Sequence, residues 1–175
     1  LRRSAGLYET ELSDLERAIG VWSEIREKED TLEVLESILR LQLLAGHKAD
    51  AASSLEEIAL SVEVSEKLSR RTQLAELYRE LGETEAMIRT FEGSLELAPQ
   101  NRELRDVLRK EYEKMAAWNQ VAGLIVDDAE AVSSDTGRVD LYREAADIYL
   151  RKCNDPQAGA ELLGKAAKLA PDDRA

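Results

Sequence analysis

The sequence predicts an all-α fold, a solenoid in which five helix-turn-helix pairs stack along residues 1–175. A repeated ending first indicates this. The segments "SLELAPQN" and "AAKLAPDD" share one pattern, and their prolines, Pro99 and Pro171, lie 72 residues apart, which is two units of 36. A helix pair of this length cannot cover its own apolar face, so consecutive pairs must stack on one another.

Two sets of residues recur at the same interval and define the repeat. The first set is aromatic at four of five positions and has separations of 34, 36, 34 and 37: Tyr8, Gln42, Tyr78, Tyr112 and Tyr149. The second set lies in the other helix of each pair: Ala18, Ala51, Met87, Val121 and Gly159. Each of these is followed four residues later by a bulky apolar residue: Trp22, Leu55, Phe91, Ile125 and Leu163. A spacing of four places both members on one face of a helix, and we expect these faces to form the core.

Capping signals predict where helices begin. Ser13 with Glu16, and Asp30 with Glu33, have the spacing of a capping box, in which each side chain binds a free amide at a helix start. Pro156 follows Asn154-Asp155, which is typical of a cap and then a proline in the first turn.

Helix ends are predicted by glycine and proline. Gly46 and Gly82 are expected at helix C-termini, where the left-handed conformation suits glycine, and Pro99 and Pro171 end the second helices of their pairs. The predicted helices are 1–11, 13–27, 31–45, 48–62, 66–81, 84–97, 101–115, 117–131, 136–152 and 155–169. No stretch alternates with a period of two, so no strand is predicted. The units of this single array are about 1–30, 31–65, 66–100, 101–135 and 136–175.

Composition limits the classes of partner. The net charge is −12, and 34% of the residues are charged. Nucleic acid is not expected as a ligand, because phosphate binding needs a concentrated basic face. There is no run of 18 apolar residues, so membrane insertion is not expected either.

The chain begins at Leu1 without an initiator methionine and stops just after Pro171. We interpret it as a fragment of a longer repeat protein. Because cutting an array exposes an apolar face meant for a neighbouring repeat, self-association through the terminal repeats is expected.

The sequence predicts no catalytic, cofactor or metal site. His47 is the one histidine and lies at a predicted turn, and Cys153 is the one cysteine and is expected to be a buried or half-buried apolar residue. One histidine and one cysteine exclude the usual zinc ligand sets. Trp22 and Trp118 are expected to pack inside the protein rather than to anchor a partner.

The unit from about Leu68 to Asn101 resembles the tetratricopeptide repeat family. It offers Leu74-Ala75-x2-Tyr78, Gly82, Met87-x3-Phe91 and Pro99 against the family pattern W-x2-L-G-x2-Y, A-x3-F, P. The unit around Tyr112 departs from this pattern, with Arg105 and Arg109 at its large and small positions. The resemblance implies a right-handed superhelix whose concave face, lined by the first helix of each pair, holds a segment of another protein. The first helices offer no lysine-asparagine clamp, so recognition of a terminal carboxylate is not expected.

Polar residues on the first helices are the candidate partner-binding residues. They are Arg40, Glu76, Arg79, Glu80, Asp106, Lys110, Glu113, Arg143 and Asp147. Their alternating charges suit either ordinary helix solvation with spaced ion pairs or a charge-patterned groove. Under the groove hypothesis, Arg79 and Lys110 are exposed and attract an anionic partner.

The expected function is a non-catalytic scaffold that binds a protein or peptide segment in a concave groove. Two alternatives stay open at this point. One is a regulatory or substrate-docking segment of a larger enzyme, and the other is a structural spacer.

Overall fold

The computed structural model describes residues 1–10 and 14–171, without the side chains of residues 9 and 10. Within these ranges the chain forms ten α-helices and no strand, so the predicted all-α repeat fold is confirmed. The helices are α1 (Arg2–Thr10), α2 (Leu15–Arg26), α3 (Leu32–Ala45), α4 (Lys48–Ser61), α5 (Val64–Leu81), α6 (Thr84–Leu97), α7 (Arg102–Lys114), α8 (Trp118–Ala131), α9 (Asp135–Arg151) and α10 (Pro156–Leu169).

The helices belong to two compact units, which we call unit 1 (residues 1–99) and unit 2 (residues 100–175). Within unit 1, each of α1 to α6 packs against the next helix in the sequence, and α7 to α10 do the same within unit 2. Three of the predicted helix pairs therefore lie in unit 1 and two in unit 2. A single continuous array over residues 1–175 stays a prediction.

The predicted glycine and proline signals are confirmed. Gly46 and Gly82 have φ of 79° and 77°, the left-handed conformation that a side chain would disfavour, at the ends of α3 and α5. Pro156 opens α10, and the carboxylate of Asp155 accepts a hydrogen bond of 2.9 Å from the amide of Ala158.

One predicted cap is wrong. The N-cap of α3 is Thr31, with no hydrogen bond from its side chain, and the helix begins one residue later than the Asp30 capping box requires. The Asp30 carboxylate instead accepts a hydrogen bond of 3.4 Å from Arg26 Nε, four residues earlier. The predicted Ser13 cap lies outside the described residues. The N-cap of α2 is Asp14, whose Oδ1 accepts from the amide of Arg17 at 3.1 Å.

Most of the predicted core residues are buried. In unit 1 these are Leu74, Tyr78 and Phe91, and in unit 2 they are Tyr112, Val121 and Ile125. Tyr149, from the recurring aromatic set, is only half-buried. The recurring residues that begin each second-helix pair, Ala18, Ala51, Met87, Val121 and Gly159, are all buried.

Leu163 was expected in the core but is 42% exposed. The buried face of α10 is formed by Gly159, Leu162 and Ala166, which are three and four residues apart. The equivalent Ile125 is buried in α8, which packs against both α7 and α9. Among the described residues α10 packs against α9 alone, which leaves Leu163 uncovered.

Gln42 replaces tyrosine in the recurring set, and the structure shows how its polar group is accommodated. The side chain is buried, and its Oε1 accepts a hydrogen bond of 2.8 Å from the Ser54 hydroxyl on α4. A buried amide oxygen without such a donor would be destabilising, so Ser54 compensates for the substitution. Trp22 packs against the buried cluster of Ile25, Val34 and Ile38, as predicted.

Replacing Phe91 with Ala should lower the free energy of unfolding by about 3–5 kcal/mol, because the ring is only 2% exposed and its loss leaves a cavity. Urea denaturation followed by far-UV circular dichroism measures the effect. The control is Leu60→Ala in the same unit, where the side chain is 75% exposed and the expected change is within about 0.5 kcal/mol. Equal effects of the two substitutions would contradict the assigned core.

Replacing two glycines of α10 with alanine should change the free energy of unfolding in opposite directions. A Cβ on Gly159 would lie 2.6 Å from Leu150 Cγ on α9, whereas a Cβ on Gly164 meets nothing within 4 Å. Gly164→Ala should stabilise by about 0.5–1 kcal/mol through helix propensity. Gly159→Ala should destabilise by about 1 kcal/mol, because separating α9 from α10 outweighs that gain. Thermal and urea unfolding of both variants test this, and stabilisation by both would contradict the close α9–α10 contact.

Candidate functional site

A cleft in unit 1, between the first helices of two neighbouring pairs, is the main candidate site. It lies between α3 and α5 and has a volume of about 1000 Å³. Leucines, carboxylates and guanidinium groups line most of it. The lining residues are Glu33, Glu36, Ser37, Leu39, Arg40, Leu43, Leu44, Leu55, Arg70, Thr72, Gln73, Glu76, Leu77 and Glu80.

The sequence of α3 explains its contribution to the cleft. Glu33, Glu36, Arg40 and Leu43 follow at intervals of three and four residues, so they share one face of the helix. Other positions of α3, including Val34, Ile38 and Leu41, are buried in the core. The helix therefore carries apolar side chains on its core face and again at its C-terminal end, where they reach the cleft.

An apolar area, which we call the leucine patch, lies at the C-terminal ends of α3 and α5. Leu43 and Leu44 are 48% and 63% exposed, while Leu39 and Leu77 are buried and also line the cleft. Exposed leucines are common singly, but adjacent ones in a concave surface indicate a binding site.

Ion pairs fix the two ends of the cleft. Arg70 on α5 binds Glu36 on α3 at 2.5 Å, and it also binds Glu66 at 2.6 Å. Lys48, just beyond the end of α3, binds Glu80 near the end of α5 at 3.0 Å. Lys48 is the first residue of α4 and follows the end of α3 closely, so this pair places the C-terminal ends of α3 and α5 near each other. The two helices therefore run parallel, with the leucine patch at one end and the Glu36–Arg70 pair at the other.

The structure brings three of the four candidate residues of unit 1 into the cleft, namely Arg40, Glu76 and Glu80. Arg79 is exposed, as expected, but does not line the cleft. Its Nη1 donates to Glu76 at 2.6 Å, and its guanidinium lies 5.7 Å from the centre of the Phe91 ring.

The five remaining candidates lie in unit 2. Asp106, Lys110 and Glu113 are exposed on α7, and Arg143 is half-buried and Asp147 exposed on α9. Arg109 donates to Glu113 within α7 at 3.2 Å, and it also binds Glu144 on α9. Asp147 binds Arg151 at 2.5 Å.

Arg105, a departure from the repeat pattern, is buried and forms an ion pair with Asp128 of α8. The family's large apolar position is thus filled by a cation whose charge is balanced from the next helix.

Residues that the sequence analysis did not identify form much of the cleft, above all Glu36, Arg70, Leu43 and Leu44. The signal for the leucines is present in "LEVLESILRLQLLAG", which has more leucines than one buried face needs. The signal for the ion pair is its spacing of 34 residues, the length of one repeat.

The histidine, the cysteine and Trp118 lie outside the lining of this cleft. His47 occupies the N-cap position of α4 without a capping hydrogen bond from its side chain, and it is half-buried, with its Nε2 2.9 Å from Glu16 Oε1. Cys153 is half-buried, and burial followed by the charge of Asp155 raises the pKa of its thiol. Trp118 lies under the ammonium of Lys152, which is 5.2 Å from the ring centre.

In residues 1–10 and 14–171, no group of three or more His, Cys, Asp or Glu side chains is placed to hold a metal ion. None of the described helices is both long and apolar enough to span a membrane.

The pKa of the Tyr78 hydroxyl is strongly raised. Its hydroxyl donates a hydrogen bond to the carboxylate of Glu56 on α4. Burial raises the pKa of Tyr78 well above its usual value of about 10, and the hydrogen bond and negative charge of Glu56 raise this pKa further.

Comparison with solved structures finds several similar chains. The TPR protein YrrB, whose structure is described as having an unusual peptide-binding site, is 17% identical with a TM-score of 0.47 and covers 97% of this chain and 84% of its own. MamA from Desulfovibrio magneticus RS-1 is 11% identical with a TM-score of 0.46, over 99% and 95% of the two chains. BtubC (BKLC) from P. vanneervenii is 13% identical with a TM-score of 0.42, over 94% and 84%. A comparison with curated proteins found no match.

Recurring helix pairs of 34 to 37 residues define the chain as a helical repeat protein. Residues 68–101, which span most of α5 and all of α6, match the family model of the tetratricopeptide repeat. The chain therefore contains a tetratricopeptide repeat at residues 68–101, and proteins with this repeat generally act as protein-interaction scaffolds.

The shifted pKa of Tyr78 predicts a loss of stability at high pH. Folding holds the phenol in its neutral form, so its contribution is complete below about pH 10 and is lost as the pH rises above that value. In Tyr78→Phe the free energy of unfolding should therefore fall less steeply above pH 10 than in the wild type. Glu56→Gln should give an intermediate slope, because burial remains. Urea unfolding at pH 8 to 11 measures these slopes, and identical slopes in wild type and Tyr78→Phe would contradict the assignment.

Proposed function

We propose that this chain is a non-catalytic protein-interaction module and that the cleft between α3 and α5 binds a segment of a partner protein. The leucine patch is the observation that carries the proposal. Leu43 and Leu44 expose apolar surface inside a concave site, and removing such surface from water contributes about 25 cal/mol for each Å². The single histidine and the single cysteine both lie outside the lining.

The dimensions of the cleft suit a short peptide segment. The lining of α3 extends from Glu33 to Leu44, a rise of about 16 Å at 1.5 Å per residue. An extended segment crosses this length with roughly five residues, at about 3.3 Å each. About three turns of helix, at 5.4 Å each, fill the same length.

The net charge of unit 1 favours a basic occupant. The cleft lining holds four carboxylates and two guanidinium groups, and cations outside the lining, on Arg2, Lys48 and Arg79, pair with three of those carboxylates. Unit 1 as a whole carries 21 Asp and Glu against 12 Lys and Arg. This negative field attracts cations and steers their approach. The proposed partner segment therefore combines apolar side chains for the leucine patch with lysine or arginine.

This occupant has the opposite charge to the anionic partner of the groove hypothesis. The difference arises at Arg79, whose guanidinium is held by Glu76 and the Phe91 ring rather than lining the cleft.

The proposal is tested by selecting ligands from a random library of displayed 12-residue peptides and titrating the selected peptides. We expect the selected sequences to be enriched in both apolar and basic residues. Replacing Leu43 and Leu44 together with Gln should weaken their binding at least about tenfold, because buried apolar anchors carry most of the energy in such interfaces. Raising the salt concentration should also weaken binding, because charge attraction is screened.

Val64→Gln is the matched control, since Val64 is 63% exposed in α5 but lies outside the cleft lining. The Val64→Gln variant should bind the selected peptides with the same affinity as the wild type. Peptides that bind the double leucine variant as tightly as the wild type would place the binding site elsewhere.

A further inference from the structure

A second cavity in unit 1 has a different character from the cleft. It has a volume of about 430 Å³ and lies where α4, α5 and α6 meet. Its lining residues are Glu56, Ala59, Leu60, Arg71, Leu74, Tyr78, Ala86, Arg89, Thr90 and Gly93. This volume lies in the range of small-ligand sites.

Arg71 is a half-buried cation with incomplete compensation. Among the described residues, its guanidinium donates one hydrogen bond, to the backbone carbonyl of Gly93, and no carboxylate lies within ion-pair distance. Other half-buried arginines of unit 1 are neutralised, Arg26 by Glu57 and Arg70 by Glu36. A partly desolvated charge without a counterion is destabilising, so an anion in the cavity would stabilise Arg71.

Gly93 leaves room for this guanidinium against α6. A Cβ on Gly93 would be only 2.8 Å from Arg71 Nη1, so any other residue would push the guanidinium aside. Glycine inside a helix costs about 1 kcal/mol relative to alanine. Glycine at position 93 therefore lowers the stability of α6 at the point where Arg71 lies against this helix.

The remaining polar groups leave the cavity with a net positive lining. Arg89 is mostly exposed, and its nearest ion-pair contact, with Glu85, is long at 3.8 Å. Glu56 is the one carboxylate of the lining, and it accepts the Tyr78 hydroxyl. Two guanidinium groups thus face one carboxylate, within a unit whose overall charge is strongly negative.

We propose that this cavity binds a carboxylate group, with Arg71 as the principal donor and Arg89 as the second. The planar guanidinium matches a carboxylate through two parallel hydrogen bonds, which fixes orientation as well as charge. The carboxylate belongs either to a small organic acid or to an acidic side chain of a peptide. This site is independent of the cleft and of the proposed function.

The test is titration of ¹⁵N-labelled protein, followed by NMR at constant ionic strength, with two probes. One probe is succinate, and the other is the capped peptide acetyl-Ala-Ala-Glu-Ala-Ala-amide. We expect saturable shifts at the amides around Arg71, Thr90 and Gly93 with at least one probe, and the responsive probe identifies the source of the carboxylate. Arg71→Gln should weaken this binding about tenfold, and Arg89→Gln should weaken it severalfold.

Gly93→Ala is the decisive variant, because it displaces the Arg71 guanidinium while leaving every charge in place. It should also weaken binding severalfold, even if Arg71→Gln is too unstable to study. Arg3→Gln, an exposed arginine of α1, controls for net charge and should bind like the wild type. The proposal is wrong if neither probe gives saturable local shifts, or if Gly93→Ala and Arg3→Gln leave affinity equally unchanged.

Discussion

Close approach of helices at small residues is the constraint on which the rest of the structure depends. Ala18, Ala51 and Ala75 are fully buried in unit 1, as are Ala145 and Ala146 in unit 2. At Gly159 even one methyl group would collide with Leu150. Because small residues let adjacent backbones come together, the larger side chains fill the space beside these contacts at the packing density of protein interiors. The contacts also decide which helix faces are covered and which reach the surface.

Repeat geometry then places equivalent side chains one above another. The pair Glu36–Arg70 spans 34 residues and Arg109–Glu144 spans 35, so each joins the same face of two successive first helices. Partly exposed ion pairs contribute little to stability individually, in the range of about 0–1 kcal/mol. Their structural effect is to align the helices they join. In unit 1 this alignment forms the cleft, and in unit 2 it positions α7 beside α9.

The sequence predicted the helices well because their signals are local. A glycine at a left-handed position or a proline after a helix acts through the backbone of a few neighbouring residues, which explains the accuracy at Gly46, Gly82 and Pro156. Predictions that depended on competing or distant partners were less successful. The carboxylate of Asp30 binds Arg26 rather than the start of α3, and Leu163 is exposed because, among the described residues, α10 packs against α9 alone. The cleft was only partly predicted, because Arg40 and Glu76 follow from their helix face whereas the contribution of Leu44 depends on how α3 and α5 pack together.

The two tryptophans are distributed one to each unit. Trp22 in unit 1 contacts aliphatic side chains, and Trp118 in unit 2 lies beneath a lysine ammonium. Each unit thus carries its own fluorophore, and the two rings contact side chains of different polarity. Variants that retain one tryptophan at a time would make the emission of each unit separately visible during denaturation. The two tryptophans therefore report on the cooperativity of unfolding. The difference between the denaturant concentrations at the two fluorescence midpoints measures how strongly the folding of residues 1–99 is coupled to that of residues 100–175.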